Sequence, residues 1–380
     1  MVRLFVALFA DGAPLALTRA DQGAVSIREY DPRAVPRPLK DMFFHGDLRG
    51  ALTRRVQNLG RAALLWGEWP DGSLEDAQVE MAGAVEKVAR AWKHGIVVDV
   101  LALVAAPWRE YVDRMRHRPS AARCYWVEVH SQKNRKSAVR GQAAWAQTYG
   151  LAKVGQPELA VEFVDTPPAR DEALGLVRTL TDEALSRSTG LHAGDSVTFG
   201  WSSLVLGTAP ADAKRFETPK YIRLALQRFY KPEAMLVVHE RVDDIEREYA
   251  PGASRAIDIR LRQRAALREH EMDPDSMPPP FDHTAVVCRK VKLPMRPVLL
   301  GRFSPLGGRD SGWVIRCMDD RHDHSNKGDF EVRELAKVAH VDREILTYLA
   351  FPRGATILLR EDGAVESWPP EQDEPQRSSA

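Results

Sequence analysis

The chain has 380 residues, 44% of them apolar, with 54 Lys+Arg against 53 Asp+Glu and a net charge of +1. That length can bury one large domain or two, and the charge balance excludes the clear positive excess of a protein held to nucleic acid by phosphate contacts. The three cysteines, Cys124, Cys288 and Cys317, are odd in number and widely spaced, which excludes a disulfide-stapled secreted domain and reads as thiols in a reducing compartment.

Residues 1–10 (MVRLFVALFA) read as a buried first strand. Asp11 and Gly12 cut the apolar run too soon for a signal peptide, and no run of about 18 apolar residues exists to span a membrane. The expected location is the cytoplasm. Residues 39–66 read mostly as helix. The clearest helix is 73–94, with Ser73 as its cap, Glu75 and Asp76 in the first turn, and Val79, Ala82, Val85, Val88, Ala89 and Trp92 on one face. The apolar stretch 96–104 fits a strand covered on both faces.

The alternation continues with a helix at 107–117, a strand at 125–130, a helix at 137–149, a strand at 159–164 and a helix at 169–186. A strand or hairpin at 196–206, a helix at 219–229 and a strand at 234–240 follow. The expected fold is therefore α+β, or mixed α/β, with a larger N-terminal domain (1–241) built on a mixed sheet with flanking helices. Residues 242–283 turn charge-dense and then proline-rich, which reads as a linker, with a solvated helix near 253–270.

A small C-terminal α+β domain is expected at 284–368, and 369–380 reads as a frayed tail. Strands fit 285–291 and 312–317, the second entered through Gly312. A short helix fits 330–339, Asp342 caps a further helical turn, and 355–359 pairs with 364–368 across Glu361-Asp362-Gly363, a strong hairpin signal.

The order Gly307-Gly308, Asp310-Ser311-Gly312-Trp313, an acidic loop, a helix, Asp342 with Ile345 to Leu349, and Pro352-Arg353-Gly354-Ala355 resembles a small tryptophan-marked family of immunity proteins from bacterial polymorphic toxin systems. The resemblance covers roughly 80 residues, and Ser-Gly-Trp at the strand start is its most specific piece. The run His322-Asp323-His324 departs from the family pattern. Residues 144–165 also resemble an element of uncharacterised bacterial proteins that carry no activity over.

The resemblance implies binding rather than catalysis. An immunity protein occludes a cognate toxin, of the kind delivered between neighbouring cells by systems such as type VI secretion. Such an interface needs a patch of roughly 800 Å² and a few buried anchors. The expected contacts are Arg309, Asp310, Asp319, Asp320, Arg321, His322, Asp323 and His324. Gly312, Trp313 and Gly354 are expected to be structural. The expected partner is a protein toxin, with no membrane, no nucleic acid and no cofactor; the oligomeric state is not legible.

His322 and His324 share a strand face and could hold a metal with Asp319 or Asp320, but no third ligand has a defined spacing, so no metal is expected. Ser311 precedes a strand rather than a helix, the wrong setting for a nucleophile elbow. Lys133, Arg135, Lys136 and Arg140 could touch phosphates but read more simply as a solvated loop. Trp66 and Trp69 would make a binding anchor if exposed. The alternative function is an enzyme, hydrolase or nucleotide-related, with its site in the N-terminal domain among Asp99, His94, Glu128 and His130. No Gly-rich phosphate loop and no H-E-x-x-H is present.

Overall fold

The computed structural model describes residues 1–11, 20–22, 24–30, 61–70, 72–92, 94–99, 104–117, 125–131, 142–187, 189–208, 235–241, 249–319, 324 and 326–369. The fold is α+β, and the described residues form three β-sheets. The region expected to hold one mixed sheet holds two.

The first sheet is antiparallel throughout, in the order β2-β3-β4-β1-β5-β6. Its strands are β1 (Val2–Asp11), β2 (Ala20–Gln22), β3 (Val25–Tyr30), β4 (Arg61–Trp69), β5 (His94–Asp99) and β6 (Val104–Pro107). β1 is central, paired to β4 and β5, and its residues from Phe5 to Ala10 are all buried, as a strand apolar on both faces should be. Helix α1 (Leu74–Ala91) lays Ala77, Met81, Val85 and Val88 on this sheet, and α2 (Trp108–His117) adds Tyr111, Val112 and Met115 to the same core. Ser73 does not cap α1; its hydroxyl donates to the Pro70 carbonyl instead (2.5 Å). Of the helix expected at 39–66, residues 39–60 lie outside the described residues, and 61–66 are strand.

The second sheet is mixed, in the order β10-β11-β12-β9-β8-β7, with β13 paired to β12. Its strands are β7 (Trp126–Ser131), β8 (Gln142–Tyr149), β9 (Leu159–Asp165), β10 (Ser196–Phe199), β11 (Ser202–Thr208), β12 (Leu236–Arg241) and β13 (Tyr249–Pro251). Only the β9–β12 pair is parallel. Helix α3 (Pro167–Ser186) covers it; Thr166 caps the helix by accepting from the Ala169 amide (3.3 Å), and proline takes the tolerated first position. β8 corrects the helix expected at 137–149. QAAWAQTY is alanine-rich, but its place between β7 and β9 decides for strand over propensity. The helix expected at 219–229 lies outside the described residues.

The third sheet is mixed, in the order β17-β14-β16-β15-β18-β19. Its strands are β14 (Thr284–Cys288), β15 (Val298–Arg302), β16 (Asp310–Cys317), β17 (Phe330–Glu334), β18 (Thr356–Leu359) and β19 (Val365–Trp368). Helices α5 (Leu335–Val341) and α6 (Ile345–Tyr348) close its core around Trp313, Leu335, Ile345, Leu349 and Phe351. β17 corrects the first half of the helix expected at 330–339: FEVRE alternates as an edge strand on β14, and Val332 points to solvent at 69% exposure. β15, preceded by Pro297 and interrupted by Gly301, gives little strand signal in sequence, yet it lies between β16 and β18.

Helix α4 (Ser254–Glu269) falls in the stretch read as a linker. It is a packed element, not a solvated one. Ala256 and Ile257 join the core of the second sheet, and Ile259, Ala266 and Leu267 join that of the third. Gln263, buried, donates to the Leu346 carbonyl at 2.9 Å, and the Arg264 guanidinium bonds Glu172 of α3. Trp201, in the β10–β11 turn, is also part of the third core.

Candidate functional site

β14 and β16 run parallel and side by side, so Cys288 and Cys317 end their strands on the same margin of the third sheet. The chain leaving β14 turns back through residues 289–297 before β15. Arg296 fixes that turn: its side chain is 12% exposed and forks onto Asp342 (2.6 and 3.1 Å), with a further bond to Glu344 (2.7 Å) and one to the Pro294 carbonyl (2.9 Å). Bidentate geometry of this kind holds both partners in register. Asp342 also accepts from the Glu344 amide (3.2 Å) before α6.

The resulting margin carries a cleft of about 220 Å³ lined by Lys290, Lys292, Met295, Cys317, Met318 and Asp319, among others. Met295 and Met318 are 64% and 45% exposed. Exposed methionines rimmed by charge make an adaptable contact surface rather than a core. At this margin the two sulfurs lie 3.7 Å apart without a disulfide, and Cys317 Sγ lies 3.4 Å from His324 Nε2. Cys288 is buried; Cys317 and His324 are partly exposed. The His324 ring packs against Phe330 at 5.7 Å between centroids. Burial pushes the Cys317 thiol pKa up, against a hydrogen bond from the Asp319 backbone amide.

The described residues among those expected to contact a partner separate into two groups. Asp319 lines the cleft, and His324 lies against Cys317, which lines it too. Asp320, Arg321, His322 and Asp323 lie outside the described residues. Arg309 and Asp310 stand at the opposite end of β16, an eight-residue strand about 23 Å long at ~3.3 Å per step. There Asp310 accepts from the Leu306 and Gly312 amides (2.8 and 2.9 Å), and Arg309 donates to the Asp282 carbonyl, so both are engaged in holding the turn.

The intervening motif is architectural. Ser311 is 1% exposed; its hydroxyl donates to the Thr284 carbonyl (2.6 Å) and accepts from the Trp313 amide (3.2 Å). Gly312 has φ +76°, and a Cβ there would sit 2.1 Å from the Phe303 carbonyl oxygen. Trp313 is 1% exposed under the Arg302 guanidinium (5.8 Å to the ring centroid). Burial first, and Arg353 second, lower the Arg302 pKa to about 10. Gly354 has φ +87°, and its amide donates to the Arg302 carbonyl (2.6 Å).

In the N-terminal region Asp99 is buried, but the side chain it meets is Lys153, also buried, from the 3-10 turn Leu151–Val154 that follows β8. That ion pair ties the first sheet to the second and engages the carboxylate. The side chains of His94, Glu128 and His130 lie outside the described residues, as do Lys133, Arg135, Lys136 and Arg140. Trp66 and Trp69 form no exposed anchor: Trp66 is partly covered, and Trp69 is 6% exposed with its indole N–H on Glu80 (2.8 Å). No described helix is long and apolar enough to cross a membrane.

The cysteine pair escaped the sequence reading because Cys288 and Cys317 are 29 residues apart, and only the β14–β16 pairing makes them neighbours. Lys153 gives no sequence signal either; it is one lysine among many.

Comparison with known proteins places a family on this region. Residues 262–370 match the family model described as the Imm33-like domain, consistent with an immunity-protein family. The match begins within α4 and runs through β19. No curated protein and no solved structure matches the chain.

Proposed function

We propose that the chain is an immunity protein that binds a cognate bacterial toxin in the cytoplasm and neutralises it by occlusion. The Imm33-like match over 262–370 carries this reading. The cleft margin of the third sheet supplies a fitting surface: exposed Met295 and Met318 as apolar contacts, Lys290, Lys292 and Asp319 as a charged rim, and a turn held stiff by Arg296. A stiff, partly apolar centre with a polar border is what a tight interface requires. The recognition unit would include α4, because that helix is packed into the third core. Nothing in the cleft has to make or break a bond.

Co-expression with the toxin encoded beside the gene tests this. Wild-type chain should restore growth, and the Met295→Glu/Met318→Glu double variant should lose that protection while keeping its melting temperature. Failure of the wild type against every neighbouring toxin would refute the immunity assignment. Full protection by the double variant would refute the choice of face.

A further inference from the structure

We propose that Cys288, Cys317 and His324 form a binding site for one zinc-class metal ion. The distances carry the argument. With Zn–S near 2.3 Å and Zn–N near 2.0–2.1 Å, a tetrahedral ion sets its ligand atoms about 3.8 Å apart for S···S and about 3.5 Å apart for S···N. The structure has 3.7 Å between the sulfurs and 3.4 Å from Cys317 Sγ to His324 Nε2, and all three donor atoms lie within 4.8 Å of one another. Two edges of the tetrahedron are thus already set by the strand pairing and by the place of His324 beside Cys317.

The donor set selects among metals. Thiolates with an imidazole favour zinc or other soft ions over magnesium or calcium, which seek oxygen. The Asp319 amide hydrogen-bonded to Cys317 is the kind of outer contact that steadies a metal thiolate. Three protein ligands leave a fourth vertex for water or an outside donor reaching through the cleft that Cys317 lines. The ion would lock the end of β14 to that of β16 and to His324, beside the cleft that Met295 and Met318 line. The site stands independently of the toxin-binding proposal, since it follows from the donor geometry alone.

The test uses the full chain, stripped with a chelator, reduced, and titrated with Zn²⁺ or Co²⁺ alone. One Co²⁺ per chain should bind, with a thiolate-to-metal charge-transfer band and the visible bands of tetrahedral cobalt; Zn²⁺ should displace it and raise the melting temperature. Cys317→Ser and His324→Gln, both at partly exposed positions, should each weaken Zn²⁺ binding by about 100-fold or more, beyond the loss expected for an outer-sphere partner. Cys124→Ser should leave the spectrum unchanged. Absence of the charge-transfer band in wild type, or a spectrum retained in Cys317→Ser, would each overturn the site.

Discussion

At the scale of single residues, the Ser-Gly-Trp motif works through backbone geometry and packing. Gly312 combines a left-handed φ of +76° with a carbonyl 2.1 Å from where a Cβ would stand, so no side chain fits without moving β15 or β16. Left-handed strain alone costs about 1–3 kcal/mol. Gly312→Ala should therefore destabilise the chain by about 3 kcal/mol, read by urea unfolding; a loss below about 0.5 kcal/mol would show that the strand accommodates the methyl group. Trp313 and Gly312 were read as framework because a large aromatic and a strand-entry glycine have few other uses in a small core. The cysteine site was not legible, because a parallel pairing between distant strands leaves no mark in local spacing.

At the scale of elements, the helices at 74–91 and 167–186 were readable from their apolar stripes and β1 from its mostly apolar run, whereas the helix at 254–269 was read as a solvated one within a linker. The errors fell where local signals are weak. β8 is alanine-rich and is made a strand by its two neighbours, and β17 is a half-exposed edge whose five residues also suit a helix. The Asp99–Lys153 pair joins two elements that sequence could not connect. Removing one partner of a buried pair strands the other charge, at a cost of about 3–5 kcal/mol, whereas replacing both with apolar residues is often neutral. Lys153→Met should lower stability by about that amount, and Asp99→Leu/Lys153→Met should recover most of it. If the double variant is as unstable as the single one, the pair's hydrogen bonds matter more than its stranded charge.

At the scale of the whole molecule, the apolar cores of the second and third sheets are stitched together rather than strung on a flexible thread. Trp201 reaches from the second sheet into the third core, α4 serves both, and Arg264 links α4 to Glu172 on α3. Excising 284–368 would expose Trp201, Ile259 and Leu267, so a truncated chain would report on exposed apolar surface as much as on lost recognition. Point changes on the cleft margin avoid that ambiguity. The same packing means that a partner seated on the margin presses on a frame braced from behind by Arg296, Asp342 and the third core.

The most direct measurement is hydrogen–deuterium exchange of the intact chain with and without the toxin proposed as its partner. Slowed exchange concentrated in residues 289–297 and 317–319 is the expected result. Slowing confined to the first and second sheets, or none at saturating toxin, would contradict the assignment of recognition to the Imm33-like region.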